Sequence, residues 1–72
     1  MKLRIDKDAD ALYLELDDSP AADSEEISPG VILDYNSEGV VTGIEMLYLS
    51  KRVPALQLGK VEVEPRALLA GS

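Results

Sequence analysis

Gly30-Val31-Ile32-Leu33-Asp34-Tyr35-Asn36-Ser37-Glu38-Gly39-Val40-Val41-Thr42-Gly43-Ile44-Glu45-Met46-Leu47-Tyr48-Leu49 sets two aliphatic, β-branched runs on either side of one polar turn. Strand formers flanking Asn36-Ser37-Glu38-Gly39 predict a β-hairpin, with Gly39 taking the positive φ that the last turn position requires. Pairing Tyr35 with Val40 sets Leu33 opposite Thr42 and Val31 opposite Ile44 on the core face. Ile32 then lies over Gly43, and Asp34 beside Val41, on the other face. A three-residue loop with a bulge at Gly39 sets Val31 against Glu45 and scatters the apolar face, so the pattern selects the first register.

Upstream, Leu3 and Ile5 alternate with Lys2 and Arg4, and Leu12, Leu14 and Leu16 alternate with Tyr13, Glu15 and Asp17. Both runs have the period of two of half-buried strands, and Asp6 to Asp10 is the polar turn between them. Residues 17–26, with Pro20, read as a solvated loop. Ile27 restarts the sheet, and its parity continues through Pro29 to Val31, with a bend or bulge expected at Pro29-Gly30. The apolar cluster at Ile44, Met46, Leu47, Tyr48 and Leu49 calls for cover on both sides. Beyond it, Ser50 to Val53 predicts one short helical turn stopped by Pro54. Val61 and Val63 suggest a last strand, and Pro65 to Leu69 a helical turn.

The expected fold is one domain over residues 1–72, mainly β or at most a β-rich α+β. Its body is a small antiparallel four-stranded meander, with strands near 2–6, 11–17, 26–35 and 40–49 and a short C-terminal element. A chain of 72 residues buries only roughly 60% of its unfolded surface, so its margin of stability is small. With no cysteine or histidine, neither disulfides nor a structural zinc site can reinforce it, which leaves oligomerisation. A homodimer is expected, with Met46, Leu47, Tyr48 and Leu49 at the interface. The competing arrangement is a monomer in which Val53 to Leu69 folds back as the cover.

The net charge of -7 is uneven. Residues 1–38 hold eleven acids against Lys2, Arg4 and Lys7, a net of -8, whereas residues 39–72 hold three acids against four bases, a net of +1. An acidic half repels phosphate backbones, so no direct nucleic-acid partner is expected, while a basic protein partner is permitted. No apolar segment follows Met1, and no run approaches the ~20 residues of a membrane helix, so the expected location is the cytoplasm, with no membrane contact.

Asp34, Asn36, Glu38, Gly39 and Glu45 fall at positions 1, 3, 5, 6 and 12 of an EF-hand loop, which makes Asp34, Asn36 and Glu38 the candidate metal ligands. The flanking strand formers argue against this site, because an EF-hand needs helices on both sides. A hairpin turn uses Asp, Asn and Gly for backbone reasons alone. Asp6, Asp8 and Asp10 have a similar spacing but run straight into a strand. Tyr13, Tyr35 and Tyr48 suit core edges or a protein interface better than base stacking at this net charge. Ser50 and Lys51 are adjacent and point apart, no glycine-rich phosphate loop follows a strand, and no pair among the scattered acids stands out. No catalytic residue, metal or cofactor is expected, and the chain reads as a non-enzymatic protein.

Asp10-Ala11-Leu12-Tyr13-Leu14, then Asp34-Tyr35-Asn36, then Gly43-Ile44-Glu45-Met46-Leu47, resemble in content and order a family of small prokaryotic proteins, domain of unknown function 2283, over about residues 1–52. Members often carry tyrosine where Ile5 stands here, a departure that touches packing more than chemistry. The resemblance implies a compact, mainly β domain with no catalytic residues to carry over. Because members are sometimes encoded beside small toxin-like proteins, it also implies a protein-binding, antitoxin-like role.

Overall fold

A computed structural model describes residues 1–53 and 60–66. It contains one antiparallel sheet of five strands: β1 (Lys2–Asp6), β2 (Ala11–Glu15), β3 (Asp23–Ser28), β4 (Val31–Tyr35) and β5 (Val41–Met46), followed by the short helix α1 (Leu49–Arg52). The mainly β antiparallel class expected from the alternating runs is what forms, with one more strand.

The added strand comes from Pro29-Gly30, which reverses the chain where only a bend was expected. Ser28 pairs with Val31 across the two residues, and Gly30 has φ 76°. Proline followed by a positive-φ glycine is the sequence of a tight type II turn. The predicted strand 26–35 is therefore two antiparallel strands, and part of the loop predicted over 17–26 is β3. Strand order is β1-β2-β5-β4-β3, not that of a meander. Once Pro29-Gly30 turns the chain back, β5 returns along β4 and pairs on its far side with β2.

The β4–β5 register also differs from the expected one. Val31 pairs with Met46, Leu33 with Ile44, Asp34 with Gly43, and Tyr35 with Val41, so Thr42 is an extra, bulged residue. The loop is longer than a four-residue turn because the Asn36 side chain closes it. Its Oδ1 accepts the N–H groups of Glu38 and Val40 at 2.9 and 3.0 Å. The Thr42 bulge has a use of its own, since its carbonyl accepts the N–H groups of Leu16 and Asp17 and ends β2. Relative to the prediction, Val31 and Leu33 slide by two residues on β5, and a two-residue slide keeps every side chain on its own face.

The pairings place Leu3, Leu14, Ile44, Leu33 and Glu25 in one row across the sheet, and Ile5, Leu12, Met46, Val31 and Ser28 in the next. Both rows lie on one face, hereafter the apolar face. The opposite, polar face carries Arg4, Tyr13, Glu15, Glu45, Ile32, Asp34, Ser24 and Glu26. Burial is shallow, since among the described residues only Ala11, Leu49 and Thr42 are buried with their side chains, and none of the aliphatic residues in the two rows is.

Past β5 the chain is fastened to two turns rather than left as a doubly apolar strand. Leu47 N–H donates to the Gly30 carbonyl at 2.7 Å, and Leu49 N–H to that of Asp10 at 2.9 Å. Tyr48 takes a left-handed conformation, φ 56°, and α1 follows. The short helical turn is where the sequence places it, but Ser50 is its second residue rather than its cap. Residues 60–66 contain no strand and are exposed, so the strand expected at Val61 and Val63 does not form. The expected turn from Pro65 to Leu69 runs beyond the described residues at 67–69.

Candidate functional site

Two surfaces are candidates, the turn at Asp34 to Gly39 and the faces of the sheet. At the turn, two of the three proposed ligands, Asp34 and Asn36, are already committed to other partners. Asp34 lies on the polar face, where its Oδ2 accepts the Tyr13 hydroxyl at 2.8 Å and its Oδ1 the Ser24 hydroxyl at 2.6 Å. Asn36 Oδ1 is committed to the loop backbone. Glu45 sits on β5 between Tyr13 and Ile32. Among the described residues no group of three His, Cys, Asp or Glu side chains is placed to hold a metal.

The bond from Tyr13 to Asp34 crosses the central strand, because β5 lies between β2 and β4. Gly43 makes the crossing possible, since a Cβ there would collide with the Tyr13 hydroxyl and ring. Arg4 completes the array, its guanidinium 5.7 Å from the centre of the Tyr13 ring and its Nη2 3.2 Å from Glu15 Oε1. Donation to the Asp34 carboxylate, followed by partial burial, holds the Tyr13 phenol above its ordinary pKa. A phenol kept protonated in this way ties β2 to β4 across β5 and is a poor nucleophile or base near neutral pH. The Tyr35 hydroxyl bonds Glu25 on the other face, and burial is the main cause of its raised pKa.

The residues near 6–10 are also structural. Asp6 Oδ1 accepts the N–H groups of Asp8 and Ala9, closing the turn on itself. Asp10, at φ 53°, receives the Ser50 N–H on Oδ1 at 2.9 Å and the Ser50 hydroxyl on Oδ2 at 2.7 Å. The Ser50 side chain, then its backbone, lowers the Asp10 pKa. Arg52 fastens the other corner, donating from Nε to the Leu47 carbonyl at 2.7 Å and from Nη2 to that of Pro29 at 2.5 Å.

Of the four residues expected at an interface, only Met46 lies in the aliphatic rows. Leu47 is anchored to Gly30 through its backbone, Tyr48 is 55% exposed with its ring over Gly30, and Leu49 is 4% exposed. Leu49 is thus an internal anchor and is not available to a partner. The sheet rows, rather than this cluster, form the broad apolar surface. Sequence reading placed their side chains on one face but took that face for a covered core. The Tyr13–Gly43–Asp34 crossing was missed, although each member lies in one of the three motif blocks, because cross-strand neighbours depend on strand order.

No described helix is long and apolar enough to cross a membrane. No curated protein and no solved structure matches the chain. The family model described as a protein of unknown function, DUF2283, matches residues 2–50. That span runs from the first strand to the Ser50 that Asp10 receives, and takes in every member of the Tyr13–Gly43–Asp34 crossing. The chain therefore belongs to the DUF2283 family.

Proposed function

We propose that this protein is a non-enzymatic protein–protein interaction module of the cytoplasm, working through the apolar face of its sheet, with its acidic half favouring a basic partner. The supporting observation is that face, a continuous pair of aliphatic rows with no buried member. Contiguous apolar surface of this kind marks an interaction site on a folded protein. Asp23 and Glu25 of β3 border it, and the net charge of residues 1–38 would attract a basic protein to the acidic surface outside it. Toward a basic toxin encoded nearby, such binding is antitoxin-like. A cation-binding role at the turn has less support, because Tyr13 and Ser24 already bond both Asp34 oxygens.

A pull-down from the native host with the natural chain and with the double variant Asp17→Lys, Asp18→Lys, both exposed positions, tests the reading. The expected result is a basic protein retained by the first and lost by the second. With that protein purified, added salt should slow association while leaving the lifetime of the complex largely intact. Recovery of the chain alone, with no growth inhibition by a neighbouring gene product that this protein relieves, rejects the antitoxin-like role in favour of an oligomeric structural protein.

A further inference from the structure

A stable domain packs at least two layers of secondary structure around its core, and a five-stranded sheet is one layer. The described residues supply no second layer over the apolar face. Residues 60–66 are exposed, with Val63 at 80%, and among the described residues no large side chain is fully buried. A cover needed for folding itself has to be present wherever the chain is made, and the chain is the one protein that always meets this condition. Resting on the reading that the apolar face is the working surface, we infer that its occupant is a second copy, packed face to face about a two-fold axis that runs parallel to the strands between the two sheets, over β5.

The area suits this arrangement. Five residues per strand at ~3.3 Å and five strands ~4.8 Å apart outline about 400 Å². Two apposed outlines give about 800 Å² before side-chain relief and the rims are added, which brings the contact toward the ~1,200 Å² at the low end of specific interfaces. Both copies bring a face whose centre carries no charge.

The charges select the axis. A two-fold axis perpendicular to the strands lays β3 on its own copy and gathers Asp23 and Glu25 of both chains, four carboxylates at one rim. An axis parallel to the strands lays β3 over β1 instead. On the apolar face β1 presents Leu3 and Ile5, which carry no charge, so this axis keeps the carboxylates of the two chains at opposite rims. Because Leu3, Leu14, Ile44, Leu33 and Glu25 share a row with β5 at its centre, this axis sets Ile44 on Ile44, Leu14 on Leu33 and Leu3 on Glu25 of the second copy. The acids of Asp17, Asp18 and Glu26 remain outside, open to a basic partner.

The natural chain contains no cysteine, so single cysteines report neighbours without background. The full-length variants Leu3→Cys, Glu25→Cys and Ile44→Cys are treated with a short bismaleimide, and the mass of the natural chain is measured by sedimentation equilibrium at micromolar concentration. The expected mass is twice 7.8 kDa. Ile44→Cys should couple to itself, whereas Leu3→Cys and Glu25→Cys should couple only when mixed. Leu3 and Glu25 are exposed, so these two variants keep the fold if Ile44→Cys does not. A mass of 7.8 kDa with strand circular dichroism intact overturns the second copy and leaves the interaction reading to its own pull-down. Self-coupling of Leu3→Cys and of Glu25→Cys overturns the parallel axis.

Discussion

The polar face and the apolar face of this sheet share every strand but are held by different forces. On the polar face, Arg4, Glu15, Tyr13, Asp34 and Ser24 form a line of ionic and hydrogen-bonded contacts from one edge to the other. These contacts are directional, so they fix strand order and register without any cover. The rows from Leu3 to Leu33 and from Ile5 to Val31 make no such bonds, and their stabilisation grows with the area removed from water. One face is complete within a single chain, and the other gains most of its free energy only when something is laid on it.

The largest expected effect is on the apolar face. Leu33→Thr keeps strand propensity but adds a hydroxyl to a row that the proposed second copy would cover, and should then cost about 2–4 kcal/mol in chemical denaturation. A cost below about 0.5 kcal/mol, the usual range for surface positions, would show a face lying open to water.

Next comes Gly43→Ala, whose methyl group collides with Tyr13 and breaks the crossing to Asp34. Ala is otherwise the better strand residue, so the net loss should be about 1–2 kcal/mol. A stabilised variant would show that the crossing contributes nothing.

Tyr13→Phe removes the same bond without the collision and should cost about 1 kcal/mol. Its pH signature is specific. The folded-state pKa of Tyr13 is raised, chiefly by Asp34, so its contribution is fully present below the unfolded pKa, near ~10, and is lost as pH rises through the folded value. Alkaline unfolding of the natural chain should show this extra loss of stability and Tyr13→Phe should not, whereas identical alkaline limbs would exclude the bond as the cause. The smallest effect belongs to Glu26→Thr on the exposed edge β3, within about 0.5 kcal/mol of the natural chain.

The alternation of Leu3, Ile5, Leu12 and Leu14, and of Val31, Leu33 and Ile44, was enough to read an antiparallel sheet and to sort its faces. The face assignment survived a wrong register because side-chain orientation repeats every two residues. Strand β3, Asp-Ser-Glu-Glu-Ile-Ser, was not legible as a strand, since an exposed edge needs no apolar alternation and Ile27 alone stood out. The candidate surface was half legible. The motif blocks contained Tyr13, Gly43 and Asp34, but their meeting depends on the β2–β5 pairing, which follows from the reversal at Pro29-Gly30. Leu49 misled because apolar character alone does not tell an internal anchor from an interface residue.

The most direct test of the difference between the faces is solvent paramagnetic relaxation of side-chain resonances in the folded protein at micromolar to millimolar concentration. A soluble gadolinium chelate should leave the methyl groups of Leu14, Leu33 and Ile44 protected while it broadens Glu26 and Ile32 on the opposite face. Strong broadening of the Leu14, Leu33 and Ile44 methyl groups, in a chain whose strand amide signals remain intact, would contradict a covered apolar face.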